Sequence, residues 1–520
     1  MSEELSIREI RLQKLARMRE LGHDPFAVEE FSSSGSADSL LSQFETLSQP
    51  ISAEEGAKPP TISFAGRVVS YRDMGKAGFA HLSDGDGKIQ IYCRKDELGE
   101  TGWELYQLLD IGDHVGVSGY LFLTKTGERS IHVTQLAPLS KSLEVLPFGK
   151  EKDGEHWYGL SDVEQRYRHR HLDLVCNPEA RKMLIDRSKI VSAVRRYFDS
   201  NGYLEVETPL LQIVAGGAAA RPFTTHYNAY EIDVKLRISL ELYLKRLICG
   251  DIPRVYEIGR VFRNEGVSNR HNPEFSLLEF YEAYTNLEGM MRRVEECFAF
   301  VAQEVYGTTE VILNGQTVDF SKPWQRVDLL QAIQSATGLE PRDFDSLDAA
   351  IAKSKELGVP EKAKERGAFI NLEKESNLGG YIEKLLEVFV EPDLQMPSFV
   401  VGYPIETSPL AKKVPGNPSM TRRFEGYILG REICNAFSEI NDPIDQRERF
   451  EQQAKELAAG DEEAHPFDEE FIRALEAGMP PTGGCGIGME RLAMVLTGAE
   501  HIREIMLFPM MKPQADEQPH

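Results

Sequence analysis

The chain has 520 residues and 41% of them are hydrophobic, but no apolar run approaches the roughly 20 residues that a membrane span requires. These properties exclude a membrane protein and predict a soluble chain of two or more domains. The net charge of -24, from 59 basic and 83 acidic residues, argues against indiscriminate binding to nucleic acid. Any such contact is therefore expected at a local patch.

The N-terminal segment is charged, which excludes a secretory signal peptide and predicts a cytoplasmic protein. Its sequence, SIREIRLQKLARMREL, predicts a basic helix that ends before Gly22 and Pro25. That helix either contacts nucleic acid or is a solvated surface. The six cysteines are scattered without CxxC spacing and are expected to be free thiols.

Residues 32–60 are rich in Ser, Gly, Ala and Pro and are predicted to be an irregular linker. From residue 62 to residue 139, short runs alternate apolar and polar residues and are separated by turn sequences. Five such runs predict a small closed barrel, for which the oligonucleotide-binding (OB) fold is the commonest architecture.

On that barrel, a hairpin that turns at residues 84–87 brings Phe79 near Gln90, with Arg72 just upstream. A ring, an amide and a guanidinium can stack on, pair with and neutralise an unstacked RNA base. The alternatives are core packing for Phe79 and a solvated strand face for Gln90. Each alternative is favoured when the residue is taken alone.

After a connector, a helix is predicted at about residues 180–200, with Gly202 at its end. YLEVETPLLQ then predicts a strand that contains Pro209, a residue tolerated only at an edge or an irregular point such as a subunit interface. A mixed helical segment at about 315–400 carries no recognisable chemistry and is predicted to be an inserted subdomain.

Residues 254–284 contain two alternating runs joined by a polar loop, which predicts an antiparallel hairpin. The loop carries Arg263, Glu265, Arg270 and His271, which together can grip a polyphosphate and a purine. Alternation places four side chains of the second run on one face, as a pocket floor: Phe275, Leu277, Glu279 and Tyr281. A plain hairpin with a solvated loop is the alternative.

Residues 480–496, PPTGGCGIGMERLAMVL, predict a glycine-rich turn that leads into an amphipathic helix. Arg491 would then lie in the first turn of the helix. Free backbone N–H groups and the helix dipole favour an anion at that place. Together with the hairpin loop, this segment predicts the second half of one site.

Residues 422–446, RRFEGYILGREICNAFSEINDPIDQ, predict a second hairpin. With a turn at residues 429–430, Glu425 lies diagonal to Glu432, close enough for both carboxylates to share a divalent cation. Three further candidates fall on the opposite face of a regular strand: Asn435, Phe437 and Glu439. Either a β-bulge brings the two sets together or one set is structural.

These motifs resemble those of the class II aminoacyl-tRNA synthetases, over nearly the whole chain. FRNEG, with Arg263 and Glu265, is similar to the second signature motif of the class. GCGIGMER, with Gly486, Gly488 and Arg491, is similar to the third. Within the class, the segments LQIVAGGAAARPF, LELYLKRL, SPLAKK and CNAFSEINDPIDQ resemble the bacterial-type lysyl-tRNA synthetases.

The resemblance implies an α+β fold, in which the antiparallel sheet and flanking helices of class II follow an all-β OB-fold barrel. The implied domains are a basic helix and linker at 1–60, an anticodon-binding barrel at 61–145 and a catalytic domain at 146–515. Pro209 lies where the first, dimer-forming motif keeps its proline, so a homodimer is expected.

The resemblance also implies an activity, which is ATP-dependent activation of L-lysine to lysyl-adenylate and transfer to the 3'-OH of tRNA(Lys), with Mg²⁺ as cofactor. The residues implied for ATP are Arg263, Glu265, His271, Asn272, Phe275 and Arg491. Those implied for lysine are Gly217, Glu241, Glu279, Tyr281, Asn435, Phe437 and Glu439. Glu425 and Glu432 would bind Mg²⁺, and Arg72, Phe79 and Gln90 the anticodon.

Two departures from the family pattern are Ser239-Leu240, where Ala-Pro is usual, and Cys485, where leucine is common; neither removes a functional group. One alternative keeps the fold but takes aspartate or asparagine, which an acid-rich pocket disfavours. Another is a protein-modifying lysine ligase or a non-catalytic RNA-binding paralogue. The barrel argues against the ligase, and the intact Arg263 and Arg491 argue against the paralogue.

Overall fold

The computed structural model describes residues 5–50, 58–148, 150–152, 155–157, 159–313, 315–372, 377–458 and 465–514. The chain forms two compact units that divide after Pro178. Within the described residues, no helix is both long enough and apolar enough to cross a membrane.

The first unit contains a β-barrel and short helices. Its elements are α1 (Ile7–Glu20), a 3₁₀ turn (Pro25–Ala27), α2 (Ala37–Ser42), α3 (Phe44–Leu47), β1 (Ile62–Asp73), β2 (Ala77–Ser83), β3 (Lys88–Arg94), α4 (Lys95–Gln107), β4 (His114–Leu123), β5 (Arg129–Ser140), β6 (Lys150–Lys152), β7 (Glu155–Trp157), α5 (Val163–Arg168) and α6 (Arg170–Cys176).

The five main strands form a closed barrel in the order β1-β2-β3-β5-β4, which confirms the predicted barrel. Only β3 and β5 pair in parallel, and the other neighbours are antiparallel. The alternating apolar residues of these strands meet inside the barrel, where Phe64, Leu82 and Ile91 are almost fully buried.

Helix α1 ends before Gly22, as predicted, and begins at a capping box in which Ser6 and Glu9 exchange hydrogen bonds. Its basic side chains are not simply solvated. Arg11 donates to the Ser142 carbonyl oxygen at 2.9 Å, and Lys14 forms an ion pair with Asp110 at 2.7 Å. Much of the basic face therefore anchors the helix within the first unit.

The predicted irregular linker is wrong for residues 37–47, which form α2 and α3. The Ser36 hydroxyl caps α2 by accepting from the Ser39 N–H at 3.2 Å, and Ala37 and Phe44 are buried against the barrel. The serine and alanine residues that suggested a linker therefore have structural roles, since Ser36 caps a helix and Ala37 packs in the core. Residues 51–57 of the predicted linker lie outside the described part of the chain.

The second unit is built on a large sheet. Its helices are α7 (Pro178–Ser200), α8 (Glu241–Cys249), α9 (Leu287–Tyr306), α10 (Leu329–Thr337), α11 (Leu347–Glu356), α12 (Val359–Glu365), α13 (Leu378–Leu385), α14 (Pro443–Ala458), α15 (Glu469–Glu476) and α16 (Met489–Thr497). A π-helical segment (Leu386–Val390) extends α13, and 3₁₀ turns occur at Pro341–Phe344, Glu391–Asp393 and Ile502–Ile505.

The strands of this unit form one large sheet and three small ones. They are β8 (Leu204–Glu205), β9 (Leu211–Gln212), β10 (Thr224–Tyr227), β11 (Ile232–Leu236), β12 (Arg254–Phe262), β13 (Glu274–Ala283), β14 (Glu310–Leu313), β15 (Gln316–Asp319), β16 (Gln325–Asp328), β17 (Ser398–Val401), β18 (Lys413–Val414), β19 (Asn417–Thr421), β20 (Arg423–Ile428), β21 (Arg431–Ser438) and β22 (Thr482–Gly488).

The large sheet has eight strands in the order β16-β17-β20-β21-β22-β13-β12-β8 and is antiparallel except at its two ends. Helices α9 and α16 cover one face, where Phe298 and Leu492 join the core with Phe280 of β13. This arrangement confirms the predicted α+β fold with flanking helices. The other face of the central strands is left for polar side chains.

The single strand predicted for YLEVETPLLQ is wrong. Two separate strands occupy this segment, with β8 at the edge of the large sheet and β9 in a three-stranded sheet. Pro209 lies between them and belongs to neither strand. Proline lacks an N–H group, so the ladder is interrupted there.

Helices α10–α13 lie in the chain between the neighbouring strands β16 and β17 and pack around a hydrophobic cluster that includes Leu329, Tyr381 and Phe389. The flanking strands belong to the large sheet. The cluster also includes Val400 of β17 and Tyr427 of β20, so it continues onto the large sheet, and the inserted subdomain stays a prediction. Residues 373–376, between α12 and α13, lie outside the described part of the chain.

Candidate functional site

A cavity of about 660 Å³ lies over the polar face of the large sheet. Thirteen candidates from the sequence line it: Gly217, Glu241, Arg263, Glu265, His271, Asn272, Phe275, Glu279, Tyr281, Glu432, Asn435, Phe437 and Arg491. Glu425 and Glu439 lie behind the lining and are 9% and 0% exposed. The structure therefore brings together the segments that the sequence predicted to form one site, and the roles of their residues stay predictions.

Strand β13 supplies the floor of the cavity. It pairs with β12 in an unbroken antiparallel register, and Phe275, Leu277, Glu279 and Tyr281 all line the cavity. Alternation along this strand is thus confirmed, and the plain solvated hairpin is excluded for its second run.

The glycine cluster forms strand β22, so the predicted glycine-rich turn is wrong. Gly484 and Gly486 pair with Tyr281 and Glu279. A Cβ atom on Gly484 would overlap Glu439 Oε1 and the Tyr281 ring, so glycine is required there by close approach. Helix α16 follows directly, and Arg491 lies in its first turn as predicted.

A β-bulge lets β20 and β21 present both predicted sets of side chains. Glu425 pairs with Asn435, but after a register shift Tyr427 pairs with Glu432. The extra residue brings Glu432 to the cavity together with Asn435 and Phe437. The hairpin turns at residues 429–430, both with positive φ, as predicted.

At one end of the cavity, Glu279 is held by three donors. They are the Ser239 hydroxyl at 2.7 Å, the Leu240 N–H at 3.0 Å and the Tyr281 hydroxyl at 2.8 Å. Burial, followed by the nearby Glu241 carboxylate, raises the pKa of Glu279 to about 7. Ser239, one of the departures from the family pattern, therefore adds a hydrogen bond to the pocket.

Lys245 of α8 was missed by the sequence reasoning. Its ammonium lies in ion-pair contact with Glu241 and Glu439, and its side chain is fully buried. Although burial lowers it, these two carboxylates raise the pKa of Lys245 above its usual value. The i,i+4 spacing of Glu241 and Lys245 on a predicted helix was the signal that could have found it.

His465 was also missed, and it lines the cavity just before α15. Burial, followed by the charge of Lys245, lowers the pKa of His465 to about 4, so its ring is neutral at ordinary pH. Its isolated position in the sequence carries no motif that could have predicted this place.

The other end of the cavity holds the cations. The Arg263 guanidinium lies over the Phe275 ring at 5.2 Å from the centroid. Arg491 forms an ion pair with Glu432 at 2.6 Å and lies 3.2 Å from His271 Nε2. Burial and then Arg491 lower the pKa of His271, so a neutral imidazole accepts this hydrogen bond.

Two further candidates at this end, Asn272 and Glu265, use only some of their hydrogen-bonding groups. Asn272 donates to the Glu274 carbonyl oxygen at 2.6 Å, but its Oδ1 is buried with no hydrogen-bond partner among the described residues. Glu265 accepts from the Arg221 N–H at 3.3 Å. An orphaned buried acceptor beside exposed polar groups is what a site awaiting a polar ligand presents.

The carboxylates proposed for a metal are already engaged. Glu425 accepts from the hydroxyls of Tyr403 at 2.8 Å and Tyr427 at 2.5 Å, and pairs with Arg423. No group of three or more metal-binding side chains occurs within the described ranges. Burial and then Glu432 raise the pKa of a further acid at this end, Glu391, to about 7.

On the barrel, the three anticodon candidates lie on one outer face. Arg72 pairs with Phe79, and Phe79 with Tyr92, so their side chains form a row across three strands. The rings of Phe79 and Tyr92 are stacked at 4.8 Å. Phe79 is only half-buried, so it does not belong to the barrel core.

Gln90 lies on the same face, two residues before Tyr92 on β3. It pairs with His81, which is two residues after Phe79 on β2. It is 9% exposed, donates to Glu128 at 2.6 Å and accepts from the Ser130 hydroxyl at 2.7 Å. A solvated position for Gln90 is thus excluded. Tyr92 and Glu128 were not predicted, although the alternation that exposes Phe79 also exposes Tyr92.

Comparison with known proteins agrees with both units. Residues 162–512 match the family of tRNA synthetases class II (D, K and N), and residues 62–139 match the OB-fold nucleic acid binding domain. The chain therefore belongs to the class II tRNA synthetases of the D, K and N group.

Individual relatives point to one member of that group. The lysine-tRNA ligase of Thermoanaerobacter pseudethanolicus is 47% identical over 509 residues, which cover 98% of this chain and 96% of the relative. That of Carboxydothermus hydrogenoformans is 47% identical over 505 residues, covering 97% and 98%. The lysine-tRNA ligase of Bacillus subtilis is 46% identical, covering 97% of each chain.

Proposed function

We propose that the chain activates L-lysine with ATP to form lysyl-adenylate and transfers the lysyl group to the 3'-OH of tRNA(Lys). The observation that carries this proposal is the buried cluster of Glu241, Glu279 and Glu439 at one end of the cavity, in a chain similar to lysine-tRNA ligases over almost its full length. Buried carboxylates require cationic partners, and lysine supplies two ammonium groups.

In the first step, a carboxylate oxygen of lysine attacks the α-phosphorus of ATP and pyrophosphate leaves. In the second step, the 3'-OH of the tRNA attacks the carbonyl carbon and AMP leaves. Neither step requires a covalent bond to the protein. Positioning of the two substrates and stabilisation of developing negative charge supply the rate acceleration.

Arg263 binds the α-phosphate and the lysine carboxylate. Burial lowers the pKa of Arg263, and an anion beside it relieves the cost of that burial. Phe275 stacks on the adenine, which requires Arg263 to leave the ring face that it covers at 5.2 Å. Glu265 accepts from the adenine amino group, and Asn272 offers its unpartnered Oδ1.

Arg491 and His271 bind the γ-phosphate end. They already contact each other at 3.2 Å, so two donors can converge on one phosphate once His271 turns its N–H toward it. The ion pair between Arg491 and Glu432 keeps the guanidinium in place before ATP arrives.

Mg²⁺ suits the pair Glu425 and Glu432, because this ion commonly takes one or two carboxylates and completes its shell with phosphate oxygens and water. Both donors are hard carboxylate oxygens, and to bind the ion they would turn away from Arg423 and Arg491, with which they now pair. Burial, with a smaller contribution from the Glu432 charge, raises the pKa of Glu425. When bound, the ion would neutralise charge on the phosphates.

At the amino-acid end, Glu241 and the Gly217 carbonyl oxygen bind the α-ammonium group. Glu439 and Tyr281 bind the ε-ammonium group, while Glu279 and Asn435 complete the pocket. Phe437 lies against the aliphatic part. Because leaving a buried carboxylate unpaired is costly, shorter or neutral amino acids bind less well.

The barrel reads the anticodon of the tRNA, with Phe79 stacking on an unstacked base, Gln90 pairing with its edge and Arg72 balancing phosphate charge. The stacked row of Phe79 and Tyr92 supports this proposal. Of helix α1, only the part of the basic face that is not engaged with Asp110 and Ser142 is available to the tRNA.

We propose a homodimer in which the segment around Pro209 is the interface. Leu204, Leu211 and Ile213 flank this proline and are 51%, 51% and 72% exposed, an apolar surface that a partner subunit would cover. The six free cysteines suit a reducing compartment, and we place the protein in the cytoplasm.

The decisive test is amino-acid-dependent exchange between ATP and pyrophosphate in the presence of Mg²⁺, measured with each of the twenty amino acids. Exchange with lysine alone is expected. Exchange with aspartate or asparagine would keep the fold and overturn the roles of Glu241 and Glu439. No exchange with any amino acid would favour a non-catalytic RNA-binding paralogue.

A further inference from the structure

The buried cation Lys245 has no part in the function proposed above, and the following inference rests on that function. Its side chain leaves α8, is fully buried, and lies between Glu241 of the same helix and Glu439. The rings of Phe437 and Phe471 lie 5.4 and 5.8 Å from its ammonium nitrogen. Two carboxylates and two rings thus enclose one ammonium group.

The two oxygens of Glu439 have different surroundings. Oε2 contacts the Lys245 ammonium, while Oε1 lies over the bare Cα of Gly484, which lines the cavity, beside the Tyr281 ring. Neither oxygen accepts a hydrogen bond of good geometry from the described residues. One oxygen is therefore held by an internal cation, and the other lies against Gly484 and Tyr281, the residues that separate it from the space that the substrate enters.

Charges at this end of the cavity favour one substrate of the D, K and N group. Three carboxylates, Glu241, Glu279 and Glu439, and the cation Lys245 lie at this end, and Arg263 contributes a second positive charge from the other end, where it acts on Glu279. One negative charge therefore remains when all five groups are ionised. Free lysine carries one net positive charge and neutralises the cluster. Asparagine leaves the negative charge in place, and aspartate adds a second one.

We propose that Lys245 is a positioning residue of the amino-acid pocket. Its ammonium holds one oxygen of Glu439 so that the other oxygen faces the ε-ammonium group of lysine. It also sets the net charge of the cluster at the value that lysine, and neither aspartate nor asparagine, neutralises.

Lys245→Met is the first test, in the full-length protein. Without the internal cation, Glu241 and Glu439 repel each other, and the lysine KM in ATP/pyrophosphate exchange is expected to rise on the order of 100-fold. The ATP KM should change less than threefold, because the residues proposed for ATP lie at the other end of the cavity. Lys245→Arg keeps the charge and is expected to recover part of the lysine affinity.

Arg246→Met is the matched control. Arg246 is the next residue of α8, and its guanidinium forms an ion pair with Asp468 at 2.9 Å and lies over the Tyr243 ring. The variant loses a cation from the same helix without touching Glu241 or Glu439. Its lysine KM should stay at the wild-type value, and an increase equal to that of Lys245→Met would overturn the proposal.

The double variant Lys245→Met/Glu241→Gln covers the case in which the single variant does not fold. It removes one cation and one carboxylate together, so the net charge of the cluster is restored. Its lysine KM is expected to lie at or below that of the single variant Glu241→Gln, in which Lys245 keeps its charge. A lysine KM well above that of Glu241→Gln would overturn the charge balance.

A pH profile separates positioning from simple loss of packing. The titratable groups that face Lys245 are Glu241 on α8, Glu439 after β21, Glu279 and Tyr281 on β13, and His465 before α15. In Lys245→Met, an uncompensated carboxylate takes up a proton that lysine must displace. The lysine KM should therefore fall more steeply with rising pH than in the wild type, and parallel profiles would contradict the proposal.

Wild-type exchange distinguishes the failure of this inference from the failure of the proposed function. If the wild type activates lysine but Lys245→Met has a normal lysine KM, only the role of Lys245 is wrong. If the wild type does not activate lysine, the proposed function itself is wrong.

Discussion

The cavity of the large sheet and the outer face of the barrel are built on opposite principles. In the cavity, ionisable side chains are buried and form ion pairs with one another, such as those of Lys245 with Glu241 and Glu439. On the barrel, the row of Phe79 and Tyr92 is aromatic and half-exposed, and its polar neighbour Gln90 is held by neutral and charged partners. The first surface is electrostatic and enclosed, while the second is flat and open.

This difference sets the expected size of a substitution. A buried charge that loses its partner is uncompensated in a medium of low polarity, and the cost is several kcal/mol. A stacked ring contributes less, about 1–3 kcal/mol per base, and its neighbours continue to bind. Single substitutions in the cavity should therefore abolish steps, whereas those on the barrel should weaken binding.

The largest effect is expected for Arg263→Ala. Removing the guanidinium that stabilises charge at the α-phosphate should lower lysine-dependent ATP/pyrophosphate exchange by on the order of 1,000-fold or more. Binding of tRNA should remain within about threefold of the wild type in a filter-binding measurement, because the barrel contacts are intact.

The control for this variant is Arg260→Ala, near the end of β12, the strand that leads to Arg263. Arg260 is exposed and lies 3.7 Å from Glu274 in a surface ion pair, so its loss should leave exchange unchanged. If Arg263→Ala showed nearly normal ATP/pyrophosphate exchange, Arg263 could not be the residue that stabilises charge at the α-phosphate.

A second effect, smaller but still large, is expected for Glu439→Gln. The amide keeps the volume and removes the negative charge, so the lysine KM should rise on the order of 100-fold. The ATP KM should be unaffected, and Glu274→Gln, an exposed acid on β13, serves as the control. An equal rise in both KM values would point to a disturbed fold instead of a lost contact.

On the barrel, Phe79→Ala should weaken tRNA binding by about 1–3 kcal/mol and leave lysine-dependent exchange unchanged. The expected loss corresponds to roughly 5- to 150-fold in affinity. Phe26→Ala is the control, because that ring is 52% exposed and belongs to a 3₁₀ turn outside the stacked row. A loss of exchange in Phe79→Ala would contradict the separation of the two surfaces.

Sequence periodicity predicted the strands because one face of each is buried. The alternation along residues 275–281 placed Glu279 and Tyr281 correctly, and that along residues 62–139 predicted all five barrel strands. The parity conflict between Glu432 and Asn435 left two alternatives, a bulge or one structural set, and the register shift in the structure decides for the bulge.

Other features depend on neighbours that are distant in the sequence. The glycines of β22 look like a turn, and only the side chains of Tyr281 and Glu439 above Gly484 explain why they form a strand. Lys245 looks like an ordinary charged residue of an amphipathic helix until the end of β21 brings Glu439 against it. The roles of the site residues remain predictions until the variants above are measured.

The smallest expected effect is the dependence of lysine affinity on pH, which concerns the cavity and not the barrel. Burial, followed by Glu241, raises the pKa of Glu279 to about 7 in the empty pocket, so below that pH its carboxyl is largely protonated. An ammonium group nearby favours the ionised form, so the complex with lysine binds fewer protons than the free protein. Lysine binding should consequently tighten as pH rises to about 7 and level off above it, by at most about tenfold per pH unit.

Calorimetric titration of lysine between about pH 5.5 and 7.5 measures this dependence, because both ammonium groups of lysine stay charged in that range. The inflection near pH 7 should disappear in Glu279→Gln. Binding of tRNA by the barrel, measured over the same range, should be the same in Glu279→Gln as in the wild type, since Glu279 lies in the cavity of the large sheet. A flat profile for lysine would mean that Glu279 is already ionised in the empty pocket, and would place the charge balance of the cavity on Glu241 and Glu439 alone.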